Sequence, residues 1–186
     1  MSMKNITILR LDDAAAVLST RERGREAADR LQDALQAGSV VVSFAGVEVA
    51  TPSFLDEVLT RLHTVLQTNE QAIAIVTGMN EDVRESVELV LRHRGMTLGV
   101  LEEGHIQILG GKKHLQQTMA EAEKLGTFKA TELAEALKLK LPNLHQRLKA
   151  LHEAGAIGRE TDETAKRGRR HDYQVLDPSE LAGITG

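Results

Sequence analysis

Cysteine and tryptophan are absent from this chain, which carries one tyrosine, three phenylalanines and three prolines. Without cysteine, disulfides, thiolate metal sites and cysteine nucleophiles are excluded. So few aromatic rings argue against a surface that binds RNA or single strands by stacking bases. The N-terminal stretch has no long apolar run and no cleavage-like segment. That supports neither export nor a membrane span and fits a cytoplasmic protein. A phosphate-binding glycine loop of the Walker type, a nucleophile elbow and a clustered acid–base set are also missing. His145 and His152 lie seven residues apart, about 10 Å along one helix and too far to share a metal directly. No enzymatic activity, metal or cofactor is expected.

What is present is an uneven charge. The chain of 186 residues has a net charge of −4, and its length fits one domain or two. Residues 1–111 hold 10 Lys and Arg against 16 Asp and Glu, whereas residues 112–186 hold 13 against 11. An acidic half joined to a mildly basic half fits a sensor or adaptor attached to a phosphate-binding module. Chance variation between two soluble halves would look the same, except that the basic residues cluster near the C-terminus.

The first half alternates strand and helix. Ile6 to Leu11 is a short β-like run, and Ala27, Ala28, Leu31 and Leu35 have helical spacing within Thr20 to Gln36. Gly38 breaks that helix. Val40 to Phe44 is apolar enough for a strand buried on both faces. Thr51-Pro52 starts the next helix, because Thr can accept from first-turn amides and Pro suits the first helical position. Ala72 to Val76 is a strand. Asn80 caps a helix running to Arg94, with Glu81 and Asp82 at its favourable end, and Gly95 ends it. Thr97–Leu101 and His105–Leu109 follow as one or two edge strands. The order β-α-β-α-β-α-β predicts an α/β fold with a mostly parallel sheet covered by helices.

Gly110-Gly111 marks the expected boundary, giving an α/β domain over 1–110 and a linking helix over 111–126. A C-terminal domain would span 127–178, with a tail at 179–186. On the linking helix, Leu115 and Met119 form either a dimer seam or a stripe packing back onto the C-terminal half. Within that half a short helix carries Leu133, Ala134 and Leu137. A turn precedes a helix opening at Pro142, whose Leu144, Leu148 and Leu151 share a narrow arc. Gly155 stops it. A strand at Ile157, the cationic loop Thr161–Arg170 and a return strand with Tyr173 and Val175 complete a winged helix-turn-helix order.

The opposite arc of the Pro142 helix carries Pro142, Asn143, Gln146 and Lys149, with His145 at its edge and Lys140 just before it. Asn and Gln amides can bond adenine edges, and Lys can reach phosphate or guanine. A plain solvated face would show the same residue types. Lys166, Arg167, Arg169 and Arg170 surround Gly168, which lets a hairpin tip turn tightly. A polyanion would relieve their mutual repulsion by counterion release; a surface loop with no ligand is the bland alternative.

Two resemblances sharpen these expectations. Val40-Val-Val-Ser-Phe-Ala-Gly-Val-Glu-Val-Ala-Thr-Pro-Ser-Phe-Leu-Asp-Glu-Val58 resembles the core of a STAS-like domain, of the poorly characterised branch related to anti-sigma-factor antagonists. Ser19-Thr20-Arg21 and Asn80-Glu-Asp-Val83 are similar to that branch as well. The resemblance covers roughly residues 1–110 and implies a partner or kinase acting at the start of the second helix. Pro52 stands at the position aligned with the phosphoacceptor, and Ser53 follows it. Thr51, Ser53, Asp56, Glu57 and Arg21 are the candidate partner or phospho-regulatory residues. Asp56 and Glu57 point ~100° apart on a helix, so they do not form a catalytic pair. Arg21 is expected either to pair with an acid across the helix layer or to be a plain surface residue.

The segment Ala130 to Ile157 resembles winged-helix regulators of the MarR and ArsR type. Lys140 departs from the pattern, which often has a capping Ser there. This resemblance implies sequence-specific binding of double-stranded DNA for transcriptional control, by a homodimer. An adaptor whose winged helix contacts protein is the alternative, and a repressor with a small-molecule pocket in the first half is a third reading.

Overall fold

The computed structural model describes residues 6–11, 16–162 and 170–185. The chain forms an α/β fold around a five-stranded mixed sheet. Its strands are β1 (Ile6–Arg10), β3 (Ser39–Ser43), β5 (Ala74–Thr77), β6 (Leu98–Glu102) and β7 (His105–Leu109), side by side in that order. The first four are parallel, and β6 and β7 form an antiparallel hairpin. Two strands that periodicity did not reveal, β2 (Val17–Leu18) and β4 (Val49–Ala50), make a separate parallel pair.

Three helices connect the parallel strands: α1 (Arg21–Ala37), α2 (Pro52–Thr68) and α3 (Glu81–Arg94). Their starts follow the sequence signals. Thr20, Thr51 and Asn80 accept from the amides of Arg23, Phe54 and Val83 at their respective N-termini, satisfying donors that a helix start leaves free. Gly95 ends α3 in the left-handed conformation. All three helices bury their apolar stripes against one face of the sheet. There Leu31 and Leu35, Leu55 and Leu62, and Val83 and Val87 share a core with Val40, Val42 and Val76. Gly24 lets α1 and α2 pack closely, since a Cβ would lie 2.8 Å from the Phe54 carbonyl oxygen.

The other sheet face is covered by the C-terminal half. That half comprises α4 (Lys113–Leu125), β8 (Thr127–Lys129), α5 (Ala130–Leu137), α6 (Leu141–Glu153), β9 (Gly158–Asp162), β10 (Arg170–Gln174) and α7 (Pro178–Thr185). A small antiparallel sheet runs in the order β8-β10-β9. Val41, Ile75, Ile106 and Ile108 of the large sheet, with Ile73 just before β5, join Met119, Phe128, Leu144, Leu148 and Leu151 in one core. Alternation along β3 explains the division, because neighbouring residues point to opposite faces: Val40 and Val42 meet α1–α3, and Val41 meets the C-terminal half.

Leu115, Met119 and Ala122 of α4 are buried in this second core, so they are spent inside the fold and form no exposed seam. The polar side of α4 seals the free edge of β7. The Ile108 amide donates to Gln116 Oε1 at 2.8 Å and the Ile106 amide to Glu123 Oε2 at 2.8 Å. Edge amides left open would invite pairing with another chain.

Candidate nucleic-acid interface

The turn before α6 is built by Lys138, which adopts the left-handed region at φ 53° and ends α5. Its amide donates to the Glu135 carbonyl and that of Leu139 to the Ala134 carbonyl. Only Lys138, Leu139 and Lys140 separate the two helices. Lys140 supplies no side-chain cap to α6, as expected of a residue without a short acceptor. Pro142 sits in the first turn, where its missing N–H costs nothing.

Leu144, Leu148 and Leu151 are buried to within about 1%. Burying each such side chain is worth roughly 1.5–3 kcal/mol, so the arc facing the core is fixed. Rotation about the helix axis then presents Pro142, Asn143, His145, Gln146 and Lys149 to solvent, and all five are exposed. Lys140 is exposed too. Lys149 lies 3.8 Å from the carboxylate of Glu153, a loose pairing. Among the described residues, the ammonium groups of Lys129, Lys138 and Lys140 have no carboxylate within 4.0 Å, although the Lys129 backbone amide donates to Glu132 Oε2 at 2.6 Å. Arg170 begins β10, while Lys166, Arg167 and Arg169 lie outside the described residues.

Three attachments hold α6 in place. Arg147 turns inward and donates to Thr118 Oγ1 at 3.1 Å and to the His114 carbonyl at 3.4 Å, tying α6 to α4. The His152 ring faces two carbonyls, Ile157 at 3.0 Å from Nδ1 and Leu66 at 2.9 Å from Nε2. A neutral imidazole has one N–H, so it makes one of these bonds, and the doubly protonated ring makes both.

The third attachment is a wedge. β5 and β6 pair only at Val76 and Val100. Nearer their N-terminal ends the turn after α6 enters between them. The Gly99 amide donates to the Ala154 carbonyl at 2.7 Å and the Ala74 amide to the Gly155 carbonyl at 2.9 Å. Gly155 is required there: its φ is +77° and a Cβ would lie 2.5 Å from the Ala74 carbonyl oxygen. Gly99 makes room from the other side, where a Cβ would meet the Ala154 carbonyl oxygen at 3.2 Å.

An ion pair between Arg159 of β9 and Glu70, in the loop after α2, lies beside the wedge. The Arg159 guanidinium holds the Glu70 carboxyl below its ordinary value. Burial raises the Tyr173 phenol, and the Tyr173 ring stacks on Phe128 at 5.6 Å. Two grooves flank α6. One of about 500 Å³ includes Gln67, His145, Lys149 and Arg159, and the other, of about 440 Å³, includes Lys129, Thr131, Leu141 and His171.

The N-terminal candidates gather at the start of α2. Thr51 Oγ1 donates to the Ser19 carbonyl at 3.1 Å while capping α2, and Ser53 is exposed in its first turn. Arg94 donates twice to Asp56, at 2.7 Å to each oxygen. Arg21 reaches Glu57 at 3.1 Å and Asp56 at 3.6 Å, and Arg25 reaches Glu57 at 3.6 Å. Of the two alternatives for Arg21, cross-helix pairing is therefore the one found. The Arg94 hydrogen bond is the main reason that the Asp56 carboxyl sits below its ordinary value. Asp56 and Glu57 hold α1, α2 and α3 together.

Sequence reading identified the exposed arc of α6 but missed Arg147 and His152, which hold it, and the Glu70–Arg159 pair beside the wedge. Their partners are remote in sequence: Thr118 is 29 residues from Arg147, and Leu66 is 86 residues from His152. Among the described residues, no group of three or more His, Asp or Glu is placed to hold a metal, and no helix is long and apolar enough to cross a membrane. Comparisons with protein-family models, curated proteins and solved structures found no match for this chain.

Proposed function

We propose that the protein is a DNA-binding regulator in which α5, α6 and the β9–β10 hairpin act as a winged helix-turn-helix and the α/β half as a STAS-like domain. The observation that carries this reading is the ridge on α6. Asn143, Gln146 and Lys149 are exposed over a leucine arc that is sealed into the core. A helix fixed in rotation and carrying amides near its N-terminal end suits the major groove. Lys129, Lys138 and Lys140, whose ammonium groups have no carboxylate partner among the described residues, suit phosphates. The cationic stretch Lys166, Arg167, Arg169 and Arg170 would add contacts of the same kind. Two copies of the chain would read two half-sites, and the start of α2 around Ser53 is the proposed partner or kinase surface.

Titration of duplex DNA with the full chain across a salt series tests this reading. Affinity is expected to fall linearly with salt on logarithmic axes. Lys140→Ala should lower affinity for all sequences and reduce the slope by about 1. Gln146→Ala or Asn143→Ala should relax sequence preference by roughly 1–3 kcal/mol at one base pair. No affinity for any duplex in dilute salt would overturn the reading.

A further inference from the structure

We propose that Leu141 is a specificity residue that packs against the 5-methyl group of a thymine, so that the preferred duplex carries a T·A pair at the tip of α6. The inference rests on α6 being the DNA-reading helix. Leu141 is the first residue of α6 and is 41% exposed, whereas Leu144, Leu148 and Leu151 of the same helix are at most 1% exposed. Exposed Pro142 follows it, which makes the tip of the helix apolar where a reading helix meets base edges. Leu141 also lines the 440 Å³ groove together with Thr131, His145 and Tyr173.

The surroundings select the occupant. Lys129 lines the same groove and Lys140 precedes Leu141, and neither ammonium has a carboxylate within 4.0 Å among the described residues. The amides of Asn143 and Gln146 are exposed on the same helix. An apolar protein segment would cover a leucine but would leave those lysines unmatched. A duplex matches both, because the apolar group on its major-groove edge is the thymine methyl. Adenine, the base paired with thymine, is also the one an Asn or Gln amide bonds in two places. Leu141 at the tip of α6, in line with the leucine arc, and the amides on the opposite arc would then meet the two bases of A·T pairs by different chemistry.

The test uses the full chain and duplexes selected from a random pool, resynthesised with uracil replacing thymine one position at a time. Uracil deletes the methyl and leaves pairing and polar groups unchanged. At one position of the site the wild-type chain should lose about fourfold in affinity, the worth of one buried methyl. Leu141→Ala should bind the thymine and uracil forms equally there while keeping the salt slope, and Leu141→Met should retain the preference. A thymine-to-uracil ratio of one at every position would overturn this proposal alone, as would an unchanged ratio in Leu141→Ala. Failure to bind any duplex in dilute salt would overturn the DNA reading and this inference with it.

Discussion

The two faces of the central sheet are covered in different ways. On one face α1, α2 and α3 are the connections between successive strands, so each lies beside the strands it joins. On the other face the cover comes from the chain after β7, which joins none of the parallel strands, and it packs as α4, α6 and the small sheet together. The first face is fastened by caps and by the cross-helix pairs of Asp56 and Glu57. The second is fastened by backbone: the Ala154-Gly155 turn replaces ladder partners of β5 and β6. A proposed DNA-reading helix thus takes its orientation from the sheet itself, and a strain on the α/β half would reach α6 through two backbone hydrogen bonds.

The largest effect should come from the wedge. Gly155→Ala should cost about 4 kcal/mol, because left-handed strain adds to overlap with the Ala74 carbonyl. Urea denaturation would measure it, and a loss under about 1 kcal/mol would show that the turn does not depend on that close approach. Next comes Leu148→Ala, which empties a fully buried site shared by the sheet and α6 and should cost about 3 kcal/mol. If two separate unfolding transitions appeared, with only one moved, the faces would be independent units rather than parts of one core. His152→Ala removes the bridge between Leu66 and Ile157 and should cost about 2 kcal/mol, with faster amide exchange at the end of α2 and the start of β9.

The smallest effect belongs to the first face. Asp56 is held below its ordinary carboxyl value by Arg94, so the unfolded chain takes up that proton first as pH falls. Its contribution is complete above the unfolded value, near about pH 4, and is lost as pH drops through the folded value. Asp56→Asn should therefore cost about 1 kcal/mol or less at neutral pH and converge with the wild type in strong acid. An unchanged difference between the two proteins in acid would show that Arg94 does not hold the carboxylate in the fold.

Much of the fold was legible in particular residues. Thr51-Pro52, Asn80 and Gly95 marked helix ends because caps act within one turn of chain. The fully buried β3 followed from its unbroken apolar run. The exposed arc of α6 was legible because three leucines fix helical phase, and Asn143 and Gln146 fall opposite them. Strands β2 and β4 were not, since two residues carry no period. Nor was the fate of Leu115 and Met119, because an apolar stripe is the same whether it meets a second copy or its own fold.

The order of amino acids alone determined where the longer helices and strands begin, which side of each is apolar, and which polar residues α6 turns to solvent. These properties depend on neighbours within a few turns of chain. Only the tertiary structure decided what those apolar sides meet: Val41 with the C-terminal core, Ala74 with Gly155, Leu66 with His152. The hydrophobic effect drives burial without naming a partner. The partner was selected by shape, through glycines at 99 and 155 that admit one backbone between two others.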